Sequence, residues 1–121
     1  MSTFVFLAAI AARALFTRDS LVANKAEMAG WTTYHANCDR CHGQDAQGSS
    51  FAPSLLHANG ADGSMTHSVF VEKVTNGVVA KGMPAWSSVL RPDQIEEIWA
   101  YLQARSSGRL APGRPHLASG G

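Results

Sequence analysis

Two cysteines and a histidine constrain this chain more than anything else in it. They stand as Cys38-Asp39-Arg40-Cys41-His42, and the 121 residues hold no other cysteine. A disulfide framework ties distant parts of a small domain together, and two cysteines three positions apart cannot do that. Their spacing needs a local explanation. A zinc site would require two further ligands, and without a second cysteine pair His35 or His57 would have to serve. A thioredoxin-like redox pair belongs in a βαβ context, and no alternating strand pattern stands out along this chain.

The third reading is covalent haem attachment. Two thiols at the end of a helix can each add to one vinyl group of a haem, and the next residue, His42, then offers a ring nitrogen to the iron. This reading is preferred. It leaves the sixth iron position to a second side chain, usually Met or His, and Met raises the reduction potential. Of the four methionines, Met1 is terminal, Met28 precedes the motif and Met65 sits at a helix start. Met83 lies in the loop Lys81-Gly82-Met83-Pro84-Ala85-Trp86, where Gly and Pro can hold it at a fixed angle. Met83 is the predicted sixth ligand; the alternative is apolar filling. Trp86 either lines the haem crevice or anchors its loop.

The other candidates are weaker. His35, His57, His67 and His116 stand in polar or loop contexts and read as surface histidines. Lys81 and Arg91 read as solvated, with a place at the haem edge as the sharper alternative.

The remaining sequence suits a small cofactor-stapled domain. A chain of this length makes one domain, and with 11 glycines and 5 prolines among long loops it needs a staple or a cofactor. From residue 30 onward seven basic residues face seven acidic ones, and the whole chain carries a net charge of +1. That balance gives a nucleic-acid role no support. Residues 23–37 read as a helix leading into the motif, and 43–63 as loop. A short helix spans 65–76 and stops at Gly77. Residues 78–90 form a second loop. The strongest helix runs over 92–103, with Pro92 in its first turn and an apolar stripe of Ile95, Ile98, Trp99 and Leu102. The expected fold class is all-α.

Three segments follow: 1–22 as an export signal or N-terminal helix, 23–105 as the haem domain, and 106–121 as an irregular tail. The apolar run starting at Phe4 has the length of a signal h-region but lacks a positive n-region.

These residues resemble the class I cytochrome c family. The resemblance covers about residues 26–103 and is most specific at the Cys38–His42 motif. It implies a cytochrome c fold, three to five short helices and long loops wrapped around one covalently bound haem c. It implies that Gly30 and Tyr34 pack against the last helix at Ile98 and Tyr101. Phe51-Ala52-Pro53-Ser54-Leu55 resembles the family's Pro-x-Leu loop. By that likeness the Pro53 carbonyl accepts from the second ring nitrogen of His42, and Leu55 packs on the haem face. The Gly82-Met83-Pro84 loop resembles the family's Met-ligand loop. Residues 108–116 are similar to tails of cytochromes that partner quinoprotein (PQQ) alcohol dehydrogenases.

The function expected is a monomeric, non-enzymatic carrier of single electrons between a dehydrogenase and a terminal oxidase or another cytochrome. Thioether attachment is made outside the cytoplasmic membrane, so the expected location is the bacterial periplasm, with an N-terminal anchor left open. The rival is a five-coordinate haem protein that binds a small ligand; a haem subunit of a larger dehydrogenase complex is a further alternative.

Overall fold

The computed structural model describes residues 21–58 and 64–118. The proposed export signal in 1–22 therefore lies outside the described residues except for its last two positions.

The described residues fold as helices around one cavity, with a single pair of two-residue strands. Strand β1 is Val22–Ala23. Asn24 then caps helix α1, Lys25–Asn37, by a reciprocal pair of hydrogen bonds. Its side chain accepts from the Glu27 N–H at 2.8 Å, and the Glu27 carboxylate accepts from the Asn24 N–H at 3.0 Å. One further turn, α2, spans Asp39–His42 and carries the cysteine-histidine motif. Gly43, at φ 81°, breaks it off.

The expected loop after the motif holds a single turn at Gln44–Ala46 and a short helix α3, Leu55–Ala58. Helix α4, His67–Asn76, starts where the Thr66 side chain accepts from the Val69 N–H. A turn at Val79–Lys81 follows. Helix α5, Pro92–Ser106, opens on Pro92, with the Gln94 side chain accepting from the Arg91 N–H at 2.9 Å. It runs three residues past the expected end at 103.

Helices α1 and α5 cross at Gly30. A Cβ there would run into the Glu97 carbonyl and approach the Tyr101 Cβ to 2.9 Å. One turn on, the rings of Tyr34 and Tyr101 lie 5.5 Å apart, and both residues are fully buried with Ile98, Leu102 and Leu110. Gly30 thus meets the backbone of Glu97 rather than Ile98, whose side chain faces the cavity.

The all-α class holds, and the tail, expected to be irregular, adds one short strand pairing. The tail turns back so that β2, His116–Leu117, pairs in parallel with β1, Val22 opposite His116. Two residues are too few to show an alternating pattern, and the pairing is remote in sequence. Around it, Arg109 pairs with the buried Glu27, and Leu110 is sealed against the helices. Among the described residues no helix is long and apolar enough to cross a membrane.

Candidate functional site

The C-terminal end of α1 delivers Cys38 half-buried and α2 delivers Cys41 exposed. Burial, reinforced by Asp39 and Cys41, pushes the Cys38 thiol up to about 12. His42 follows with its N–H donating to the Cys38 carbonyl at 3.0 Å. Its carbonyl accepts from the Gly48 N–H at 2.7 Å, which closes residues 43–48 into a compact loop. Gly43 is obligatory there, since a Cβ would collide with the Gly48 backbone. The Tyr34 hydroxyl donates to the Gly43 carbonyl at 2.6 Å, and Ser49 Oγ donates to the Cys41 carbonyl.

The His42 ring is half-buried. Burial lowers its pKa, and the backbone carbonyl of Pro53 works in the opposite sense. Nδ1 itself is buried without a full hydrogen bond. Among the described residues, the Pro53 carbonyl is the one backbone group whose influence reaches the ring.

Met83 arrives from the far end of the chain, on a loop that closes on itself. The Val78 N–H donates to the Met83 carbonyl at 2.9 Å, and the Met83 N–H returns to the Val78 carbonyl at 3.2 Å. Gly82 supplies a left-handed residue just before the methionine. Gly77 lets the strand of Pro84 and Ala85 pass: a Cβ would sit 2.6 Å from the Ala85 nitrogen. Trp86 then ties the loop to α4, its N–H donating to the Val74 carbonyl at 2.9 Å.

All seven residues singled out from the sequence, Cys38, Cys41, His42, Pro53, Leu55, Met83 and Trp86, line one cavity of about 640 Å3. That volume suits an organic cofactor. Phe70 and Val74 of α4 and Ile98 and Leu102 of α5 add apolar wall, while Asn37, Ser64, Lys73 and Lys81 add polar groups. Apart from Lys81, none of these reads from the sequence as a cavity residue, because which side of each element turns inward depends on the assembled fold.

Other sequence candidates fall elsewhere. His35 places Nδ1 2.9 Å from the Trp31 carbonyl and accepts from the Asp45 N–H at Nε2, so it is committed away from the cysteines. His67 pairs with Glu96 on the surface, and Arg91 with Asp93. His116 is exposed in β2. The side chain of His57 lies outside the described residues. Among the described residues no group of three His, Cys, Asp or Glu is gathered as a metal cluster, which removes the zinc alternative's extra ligand at His35.

The residues present fit a haem. Two thiols and an imidazole share one wall, a thioether stands on another element, and the space between is largely apolar. The family model for cytochrome c oxidase, cbb3-type, subunit III matches residues 25–102. The chain belongs to this c-type cytochrome family. With the family come haem as cofactor and electron transfer as role, as the motif led one to expect.

The chain is 34% identical over 97 residues to cytochrome c-553I of Paracoccus denitrificans, covering 74% of this chain and 42% of that protein. It is 32% identical over 80 residues to the dehydrogenase subunit of the quinone alcohol dehydrogenase of Acetobacter aceti, covering 64% of this chain and 10% of that subunit. The c-type cytochrome XoxG from Methylobacterium extorquens AM1 has a similar structure, with TM-score 0.65 and 26% identity over 77% of this chain and 58% of that one. The chain thus spans less than two thirds of each of these proteins.

Proposed function

We propose that this chain is a single-haem electron carrier of the His/Met type, with haem held through Cys38 and Cys41 and iron bound by His42 and Met83. One observation carries the reading: His42 and Met83, 41 positions apart in the numbering, come to the same cavity as both cysteines, and Met83, unlike Met65 in the same lining, is held by a loop closed through paired hydrogen bonds with Val78. Haem, when bound, supplies reversible one-electron chemistry at its iron. The chain's own part is to hold and insulate. Pro53 offers a carbonyl to the His42 ring, which fixes its tautomer and raises its basicity. Leu55, Phe70, Ile98 and Leu102 exclude water. Trp86 anchors the loop that presents Met83.

The partners proposed are a quinoprotein dehydrogenase as donor and a terminal oxidase or second cytochrome as acceptor. The kinds of protein this chain resembles support that choice. The chain acts as a monomer in the periplasm, where thioether attachment is made. Contacts with partners are small and brief, as in other redox encounters.

A haem stain on a denaturing gel and a reduced visible spectrum test the reading together. Colour retained on the denatured chain and a low-spin spectrum indifferent to carbon monoxide are expected. Met83→Ala should lose the sulfur-to-iron charge-transfer band and lower the potential. A carbon-monoxide-reactive wild type, or an unchanged spectrum in Met83→Ala, sinks the His/Met assignment.

A further inference from the structure

The loop behind His42 contains two consecutive non-glycine residues in the left-handed region, Asp45 at φ 58° and Ala46 at φ 64°. Both are buried. Such a conformation persists only where the surroundings over-determine it, and it concentrates at functional sites. Here the surroundings do so from four directions. The Asp45 carbonyl accepts from Arg105 Nε at 3.3 Å and from a terminal guanidinium nitrogen at 3.2 Å. The Asp45 N–H donates to His35 Nε2 at 3.4 Å. The carboxylate Oδ1 accepts from the Gly113 N–H at 3.1 Å. The Ala46 carbonyl accepts from Ser54 Oγ at 3.2 Å.

Two of these ties bear on the axial position. Ser54 follows Pro53, so the Ala46–Ser54 bond joins the loop that leaves His42 to the segment whose carbonyl serves the His42 ring. Arg105 closes the frame by also donating to the Leu110 carbonyl at 2.8 Å. Arg105, Leu110 and Gly113 all lie beyond residue 102, where the family match ends.

We propose that Asp45 is a positioning residue for the axial histidine: by tying the loop behind His42 to Arg105 and to the tail at Gly113, it sets the orientation of the imidazole relative to the Pro53 carbonyl, and so tunes the haem potential. The inference rests on the reading of His42 as iron ligand. Loosening the clamp frees the ring to turn its Nδ1 away from the Pro53 carbonyl, leaves a less basic imidazole, and favours the reduced iron.

The haem-loaded protein tests this through Asp45→Gly, Asp45→Asn and Arg105→Gln. Glycine accepts the left-handed backbone but loses the carboxylate anchor. Asparagine keeps an acceptor oxygen and tolerates the same backbone. Asp45→Gly should raise the potential by about 59 mV, a tenfold change in a one-electron equilibrium. It should also shift the low-spin ferric resonance that reports the imidazole plane. Asp45→Asn should return both towards wild type, and Arg105→Gln should move the potential in the same direction as Asp45→Gly. Wild-type potential and resonance in whichever of Asp45→Gly and Arg105→Gln takes up haem overturn the proposal. Failure of the ligand reading is separate: His42→Ala would then keep the wild-type spectrum, and the positioning role would fall with it.

Discussion

Tyr101 is fully buried and its hydroxyl makes no hydrogen bond. Burial, with Asp45 adding to it, holds its pKa well above the ordinary value near 10, and Arg105 offsets this only in part. The folded chain therefore keeps a proton that the unfolded chain gives up as pH rises past about 10. The contribution is intact below that pH and lost above it. Tyr34 shifts in the same direction. Denaturant unfolding of the haem-loaded protein at a series of alkaline pH values should show falling stability above pH 10 in wild type and a shallower fall in Tyr101→Phe. An identical slope in the two proteins refutes the assignment. At neutral pH the variant should lose nothing, since it deletes an unpaired polar atom. The Cys38–His42 motif and the Met83 loop stood out in the sequence, and they meet at one cavity, because residue type and close neighbours mark both. The buried hydroxyl of Tyr101 did not, since its environment comes from α1 and from the loop at Asp45.

Among the elements, the crossing of α1 over α5 is the tightest. Gly30→Ala places a methyl against the Glu97 carbonyl and the Tyr101 side chain, and a helix backbone cannot yield as a flexible side chain can. Overpacking of this kind should cost about 3 kcal/mol, read as a lower denaturation midpoint of the haem-loaded protein. A loss below roughly 1 kcal/mol would mean that the helices separate freely. Helix boundaries were partly legible. Pro92 marked α5 to the residue, and the ends of α1 and α4 at residues 37 and 76 fell as expected. The starts of α1 and α4 moved inward because Asn24 and Thr66 act as caps rather than as first-turn residues. The extension of α5 to Ser106 escaped notice, because it is fixed by Arg105 reaching across to Asp45 and Leu110. Asp45 carries only the weak left-handed tendency of aspartate, and Ala46 carries none. Their conformation is imposed from residues up to 68 positions away.

At the scale of the whole molecule, the tail completes the fold behind the cavity. Leu110 is wholly buried, its N–H donates to the Ala104 carbonyl at 2.9 Å, and Arg109 reaches back to Glu27 and to the Val22 carbonyl. Leu110→Ala should cost about 3 kcal/mol, the usual price of emptying such a site. Thermal unfolding of the haem-loaded protein measures it, and a change of less than about 1 kcal/mol would make the tail an ornament rather than a wall. The apolar residues of the tail gave no periodic pattern, so their burial could be seen only once the helices had been assembled.

The β1–β2 pairing sets residues 22 and 116 side by side at the start of α1, while the cysteines stand at its other end. Thirteen helical residues put about 20 Å between the two. The two ends of the described fold thus lie side by side, about one helix length from the cysteines. Sequence joined at either end of this described fold would meet it beside the first turn of α1, clear of the cysteines at the other end.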